Sequence, residues 1–194
     1  MTHARRGQAG DGRPPGWSTN PSTWSQRLPI VVLALAGTAV AAYLSLFQLH
    51  VIDTVWEPFF GDGSRQILRE SSFSRFWERL GLSDAALGAA GYLADAVTGV
   101  IGGTRRWRTM PWIVLVFGFF VGPFGVISIA LVVIQPVLYS EFCTLCIASA
   151  VISLAMIGPA MDEILASLQY LRRQRTEGHS LWRTFWGLTG TGAT

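Results

Sequence analysis

The chain has 194 residues, half of them hydrophobic and only 14% charged, against about 25% charged in an ordinary soluble domain. All fifteen basic residues are arginine and the net charge is +3; they cluster beside apolar runs and form no basic stripe, which excludes nucleic-acid binding. Two cysteines are too few for a disulfide scaffold.

Residues 1–28 are rich in Gly, Pro, Ser and Thr and carry Arg5, Arg6, Arg13 and Arg27. Such a composition buries too little apolar area to order itself, so it predicts a disordered tail. The apolar run Pro29–Val51 is longer than the roughly 7–15 residues of a secretory-signal core. With no small-residue cleavage site after it, the run reads as a retained membrane helix. About 20 helical residues cross a hydrocarbon layer about 30 Å thick. Ala85–Gly103, rich in Ala and Gly and carrying Asp95, is the second predicted span, where Gly88, Gly91 and Gly99 let helices approach closely. Trp112–Leu138 is the third, despite Pro123 and Pro136, and Phe142–Ala160 is the fourth. The expected fold is therefore an all-α integral membrane protein. It comprises a four-transmembrane-helix bundle over residues 29–160 and a basic tail, partly helical, over residues 161–194.

Orientation follows from the arginines. Four lie before the first span; Arg105, Arg106 and Arg108 lie in Thr104–Met110; Arg172, Arg173, Arg175 and Arg183 follow the fourth span. An even number of spans puts these three regions on one side, the cytoplasmic side by the positive-inside rule. The expected location is the cell inner (plasma) membrane, multi-pass, with both termini cytoplasmic. The opposite side receives the turn Tyr139–Glu141 and the loop Ile52–Asp84, whose four arginines and six acids leave a charge of −2. Within that loop Ile67, Leu68, Phe73, Phe76, Trp77 and Leu80 recur near helical spacing, which predicts an amphipathic helix on the membrane surface. Such a helix either packs on the bundle or forms a lid over a site at the outer face.

The chemistry concentrates at Cys143 and Cys146. Cysteines at i and i+3 share a helical face, so their sulfurs can meet. At a helix N-terminus the dipole favours a thiolate, most strongly at the first cysteine, and Glu141 opposes that in part. A pair reaching an oxidising compartment can cycle between dithiol and disulfide. The competing reading is two small apolar side chains buried in a helix. A metal site is not expected, because His3, His50 and His179 have no companion spacing.

The opening Phe142-Cys143-Thr144-Leu145-Cys146-Ile147-Ala148-Ser149-Ala150 resembles the active-site helix of the vitamin K epoxide reductase family. The resemblance extends through Phe59-Phe60-Gly61-Asp62-Gly63-Ser64, Ser74-Arg75, and Asp84-Ala85-Ala86-Leu87-Gly88 with Tyr92, over roughly residues 30–160. It implies a quinone-linked membrane thiol–disulfide oxidoreductase using a ubiquinone- or menaquinone-type cofactor. By that resemblance Cys146 faces the quinone, while Cys143 exchanges disulfides with a partner, such as a thioredoxin-like protein on the outer side. The quinone is expected under the outer loop, with Asp84, Phe120, Phe124 and Trp77 as candidate pocket residues. The chain departs from the family pattern in three places. It lacks a second cysteine pair in the outer loop, with Ser64 about where one of those cysteines would stand. Ala150 replaces a tyrosine found in some members, and Asp84 replaces an asparagine. These departures motivate an alternative, a non-catalytic membrane subunit or scaffold that keeps the fold. Asp95 is not accounted for by the resemblance; a carboxyl at mid-membrane marks either a functional group or a hydrogen-bonded structural one.

Overall fold

The computed structural model describes residues 12–70 and 83–188, and among them every regular element is a helix. The elements are α1 (Trp24–Gln48), α2 (Gly63–Glu70), α3 (Asp84–Val100), α4 (Arg106–Thr109), α5 (Pro111–Leu138), α6 (Thr144–Thr176) and α7 (Leu181–Phe185). Helices α1, α5 and α6 are long and apolar enough to cross a membrane. The second predicted span forms a helix, α3, but its 17 residues rise only about 25 Å at about 1.5 Å each. Only three of the four expected spans therefore meet the length and composition of a crossing among the described residues.

Helices α1 and α3 pack along one another, as do α5 and α6, and the two pairs meet through α1 on α6 and α3 on α5. The central core gathers Ile30, Ala34 and Ala41 of α1, Tyr92 and Ala96 of α3, Phe117 and Val121 of α5, and Met156 and Ala160 of α6. In lipid, apolar side chains gain little by leaving the acyl chains, so helices associate through close packing over small residues. Gly37 is such a position: a Cβ there would lie 2.7 Å from the Tyr92 ring. The missing side chain on α1 is thus what seats Tyr92 of α3.

The boundaries differ from the expected ones. Helix α1 begins at Trp24, ahead of Pro29, and α6 runs without interruption past Ala160 to Thr176. Residues 12–23, assigned by composition to a disordered tail, make tertiary hydrogen bonds. The Trp17 indole donates to Gln169 Oε1 at 2.9 Å, Asn20 Nδ2 donates to the Thr104 carbonyl at 2.8 Å, and the Trp107 indole donates to the Gly12 carbonyl at 3.1 Å. Composition could not reveal these partners, because they lie on α6 and around α4.

The same end of the bundle holds a buried charge cluster. Arg27 and Arg106, counted as flanking arginines in the sequence, are 1% and 0% exposed. Arg106 Nε donates to Glu163 Oε1 at 2.6 Å, its Nη2 pairs with Oε2, and the Ser22 hydroxyl donates to Oε1. Arg27 donates to the carbonyls of Gly99 at 2.9 Å, Gly102 at 2.8 Å and Ile101 at 2.9 Å. Arg106 Nη1 adds a bond to Ile101 O at 3.0 Å. The two guanidinium groups thereby satisfy the carbonyls that α3 leaves open where it ends, since the last four of a helix have no intrahelical donor.

Among the described residues Glu163 is the one carboxylate bonded to Arg106, so its loss strands a buried cation. Removing one member of a buried pair costs about 3–5 kcal/mol. Glu163→Ala is expected to lower thermal stability in detergent by that order, and Ser22→Ala by about 1 kcal/mol, the worth of one hydrogen bond. Equal melting temperatures for wild type and Glu163→Ala would contradict the role assigned to the cluster.

Candidate functional site

Cys143 and Cys146 stand at the opposite end from the arginine cluster. Their Cα atoms are 5.2 Å apart and the sulfurs are joined as a disulfide. Cys143 is extended, at φ −116° and ψ 111°, and is the N-cap of α6; its Sγ accepts the Cys146 N–H at 3.1 Å. The Cys143 N–H donates to Oε1 of Gln135, at 3.3 Å, from the last turns of α5. Cys143 is fully buried, whereas Cys146 is partly exposed and packs against an apolar cluster of Leu44, Phe47, Val55 and Leu68.

A carboxylate from the outer loop completes the cap. Glu57 Oε2 accepts the Thr144 N–H at 3.0 Å, and its other oxygen takes the Thr144 hydroxyl. The Ser64 hydroxyl donates to Oε2, and the N–H groups of Phe59 and Phe60 point at Oε1, both at 3.4 Å. Burial pushes the Glu57 carboxyl up, but the hydrogen bonds from Ser64, Thr144 and Phe59 outweigh it and hold it below its usual 4.5. Ser64, at the position compared with a loop cysteine, is fully buried and serves as one of these donors. Gly63 beside it is obligatory, since a Cβ there would strike the Phe142 carbonyl. The loop motif Phe59–Ser64 and the cysteine motif are therefore parts of one structure.

A second polar group lies where α1 ends and α3 begins. Gln48 Oε1 accepts from the Ser83 hydroxyl and from the Ala85 N–H at 3.1 Å, while its Nε2 donates to Asp84. The Ser83 hydroxyl caps α3 by accepting the Ala86 N–H at 3.2 Å.

The candidate pocket residues do not form one group. Asp84 is the first residue of α3. Phe124 packs on Gly91, whose Cβ position is 3.2 Å from its ring, two turns along α3 from Asp84. Phe120 stacks on Phe124 with centroids 6.2 Å apart. Trp77 lies outside the described residues, as do Phe73, Phe76 and Leu80. The described part of the amphipathic segment, α2, buries Ile67 and Leu68. Among the described residues no cluster of His, Cys, Asp and Glu is arranged to hold a metal.

Sequence reasoning missed Glu57, Gln48 and Gln135 at this end and Glu163 at the other. Each is a lone polar residue with no motif around it. The only available signal was a polar residue bordering or interrupting an apolar run.

The chain was compared with known proteins. The family model described as the vitamin K epoxide reductase family matches residues 28–160, more than half the chain. No curated protein and no solved structure matches it.

A carboxylate held below its usual value contributes stability that is present above 4.5 and is lost as pH falls through its lower folded-state value. Glu57→Gln is therefore expected to melt earlier than wild type at neutral pH, with the gap closing as the solution is acidified beneath 4.5. Removing negative charge beside the α6 N-terminus also favours thiolate over disulfide. The Cys143–Cys146 reduction potential, measured against glutathione buffers, is expected to move upward in the same variant. A gap independent of pH, with an unmoved potential, would show that Glu57 neither caps α6 nor acts on the pair.

Proposed function

The chain belongs to the vitamin K epoxide reductase family, and from that premise we propose that it is a quinone-linked membrane thiol–disulfide oxidoreductase. Electrons pass from a partner dithiol to the Cys143–Cys146 pair and then to a quinone of the ubiquinone or menaquinone type. The observation that carries this reading is that the chain's only two cysteines form one disulfide at the capped start of an apolar helix. Family membership and three apolar helices make it a multi-pass membrane protein. We further read α3 as the fourth crossing, residues 29–160 as the membrane domain, and the plasma membrane as its site with both termini cytoplasmic. The arginine distribution supports that orientation.

The residues beside Cys146 suit a quinone. Leu44, Phe47, Val55 and Leu68 are buried beside Cys146, so a flat ring would enter this apolar region as the loop over it moves, with the Gln48–Ser83 pair near for a ring oxygen. The bound quinone supplies a two-electron, two-proton acceptor. The segment containing Trp77 is proposed as the lid over it, while Phe120 and Phe124 are assigned to the deeper wall.

Exchange begins when a partner thiolate attacks Cys143 Sγ. The S–S bond breaks, a mixed disulfide forms, and the electron pair leaves on Cys146. A second partner thiol resolves the mixed disulfide and leaves the Cys143–Cys146 dithiol. Cys143 is fully buried, so a partner such as a thioredoxin-like protein must displace the outer loop to reach it. Gln135 and Glu57 hold the backbone on either side of Cys143 and keep its Sγ at the head of the helix. With no loop cysteines to relay electrons, the partner addresses Cys143 directly.

The burial of Cys143 and the single cysteine pair also motivate the second reading, a non-catalytic subunit that keeps the fold. The two readings separate experimentally. Cys146→Ser in an exchanger is expected to accumulate a mixed disulfide through Cys143, and thiol-dependent quinone reduction by the detergent-purified wild type is expected to vanish in Cys143→Ser/Cys146→Ser. No trapped partner and no cysteine-dependent quinone reduction would leave the scaffold.

A further inference from the structure

A cavity of about 50 Å³ lies between the helices, lined by Gly88, Tyr92 and Asp95 of α3, Ser128 of α5, and Ser149 and Ser153 of α6, with apolar neighbours. A single water needs a cavity of about 10–15 Å³, so this one has room for a few water molecules. Asp95 is 3% exposed, and its Oδ1 has no hydrogen-bond partner. No other charged side chain lines the cavity; Glu163, also on α6, is tied to Arg106. A carboxyl serving only as packing would bond a nearby group, as the Thr98 hydroxyl does with the Ala94 carbonyl at 2.6 Å. An orphaned buried oxygen facing a polar space is where an internal water belongs.

Hydroxyl groups connect this space towards the reactive pair. The Tyr92 hydroxyl lies 2.6 Å from Ser153 Oγ and 2.9 Å from Ser149 Oγ, and it reaches the Ser149 carbonyl at 2.7 Å. Cys146, Ser149 and Ser153, at i, i+3 and i+7, share one face of α6. Each hydroxyl both donates and accepts, so Ser149, Tyr92 and Ser153 can pass a proton among themselves, and Ser149 stands one turn from Cys146.

We propose that this cavity is a proton-holding site, in which a bound water joins the free Asp95 oxygen to the Tyr92–Ser149–Ser153 hydroxyls and so to the Cys146 end of the bundle. This rests on the thiol–quinone reading. Oxidation of the dithiol forms the Cys143–Cys146 S–S bond and releases two electrons and two protons, and the quinone takes up both electrons and two protons. Asp95 holds one of those protons between its departure from the Cys146 thiol and its arrival at the quinone, and is left unchanged.

The test uses the full chain in lipid nanodiscs. Time-resolved infrared difference spectra recorded as the dithiol is oxidised are expected to contain a transient carboxyl band in wild type that is missing in Asp95→Asn. Quinone reduction by Asp95→Asn is expected to fall by about a hundredfold, the low end of what a positioned proton carrier contributes. Tyr92→Phe, which keeps its ring seated on Gly37, should retain the carboxyl band while losing rate and solvent deuterium isotope effect. A wild-type spectrum with no Asp95 band overturns the proposal, even where Asp95→Asn is slow, because the loss is then structural. Unchanged rates in both variants overturn it as well. A wild type that shows the band but never reduces quinone supports the proton site and overturns the thiol–quinone reading instead.

Discussion

The first turn of a helix carries backbone N–H groups that no residue of the helix can satisfy, and at the edge of a bilayer bulk water is a poor substitute. Helix α6 meets this demand from three directions: its own Cys143 sulfur, the Glu57 carboxylate and, one residue earlier, the Gln135 amide. The rest of the outer end depends on that arrangement. Glu57 reaches Thr144 only because the outer loop folds back over α6, and the loop is held there by Ser64 and by the close approach that Gly63 permits. The capping sulfur of Cys143 and the loop that shelters it serve one local requirement.

At the other end the same requirement applies to carbonyl groups. Helix α3 stops at Val100, and its open carbonyls are taken by Arg27 and Arg106. Two guanidinium groups close together repel one another, and the Glu163 carboxylate from α6 makes their proximity tolerable. A buried pair of this kind adds little net stability, yet losing one member is costly. It therefore acts as a register pin for α1, α3, α4 and α6. With both ends tied, α6 carries the cysteine pair at its head without being displaced along the bundle axis.

Between the two ends, the middle of the bundle is packed over small residues, with one polar exception. Tyr92 crosses from α3 to α6 and bonds two serines, while Asp95 one turn further on faces the cavity. The retained hydroxyl groups run on the same helical face as Cys146.

The sequence by itself determined the helical membrane class, the location of three long apolar helices, the cysteine pair at a helix start and the family. These are properties of local composition and spacing: an apolar run of membrane length or a cysteine at i and i+3 reads the same in any fold. It also located α3, although its length fell short of the expected span. Other features were decided only by the tertiary structure. Glu57, Gln135 and Glu163 are single polar residues whose meaning lies in partners between 8 and 141 positions away. Arg27 and Arg106 read as solvated membrane flanks, and burial against carbonyls and one carboxylate converted them into internal staples. Residues 12–23 read as disordered because their own composition cannot order them; they hold position through groups on α6 and around α4. Asp84, Phe120 and Phe124 were candidate pocket residues from different parts of the sequence, and only the structure shows that Phe124 meets α3 at Gly91, two turns from Asp84. Local patterns encode what one helix does, whereas the pairing of distant polar groups depends on helix register, which no single segment of the sequence carries.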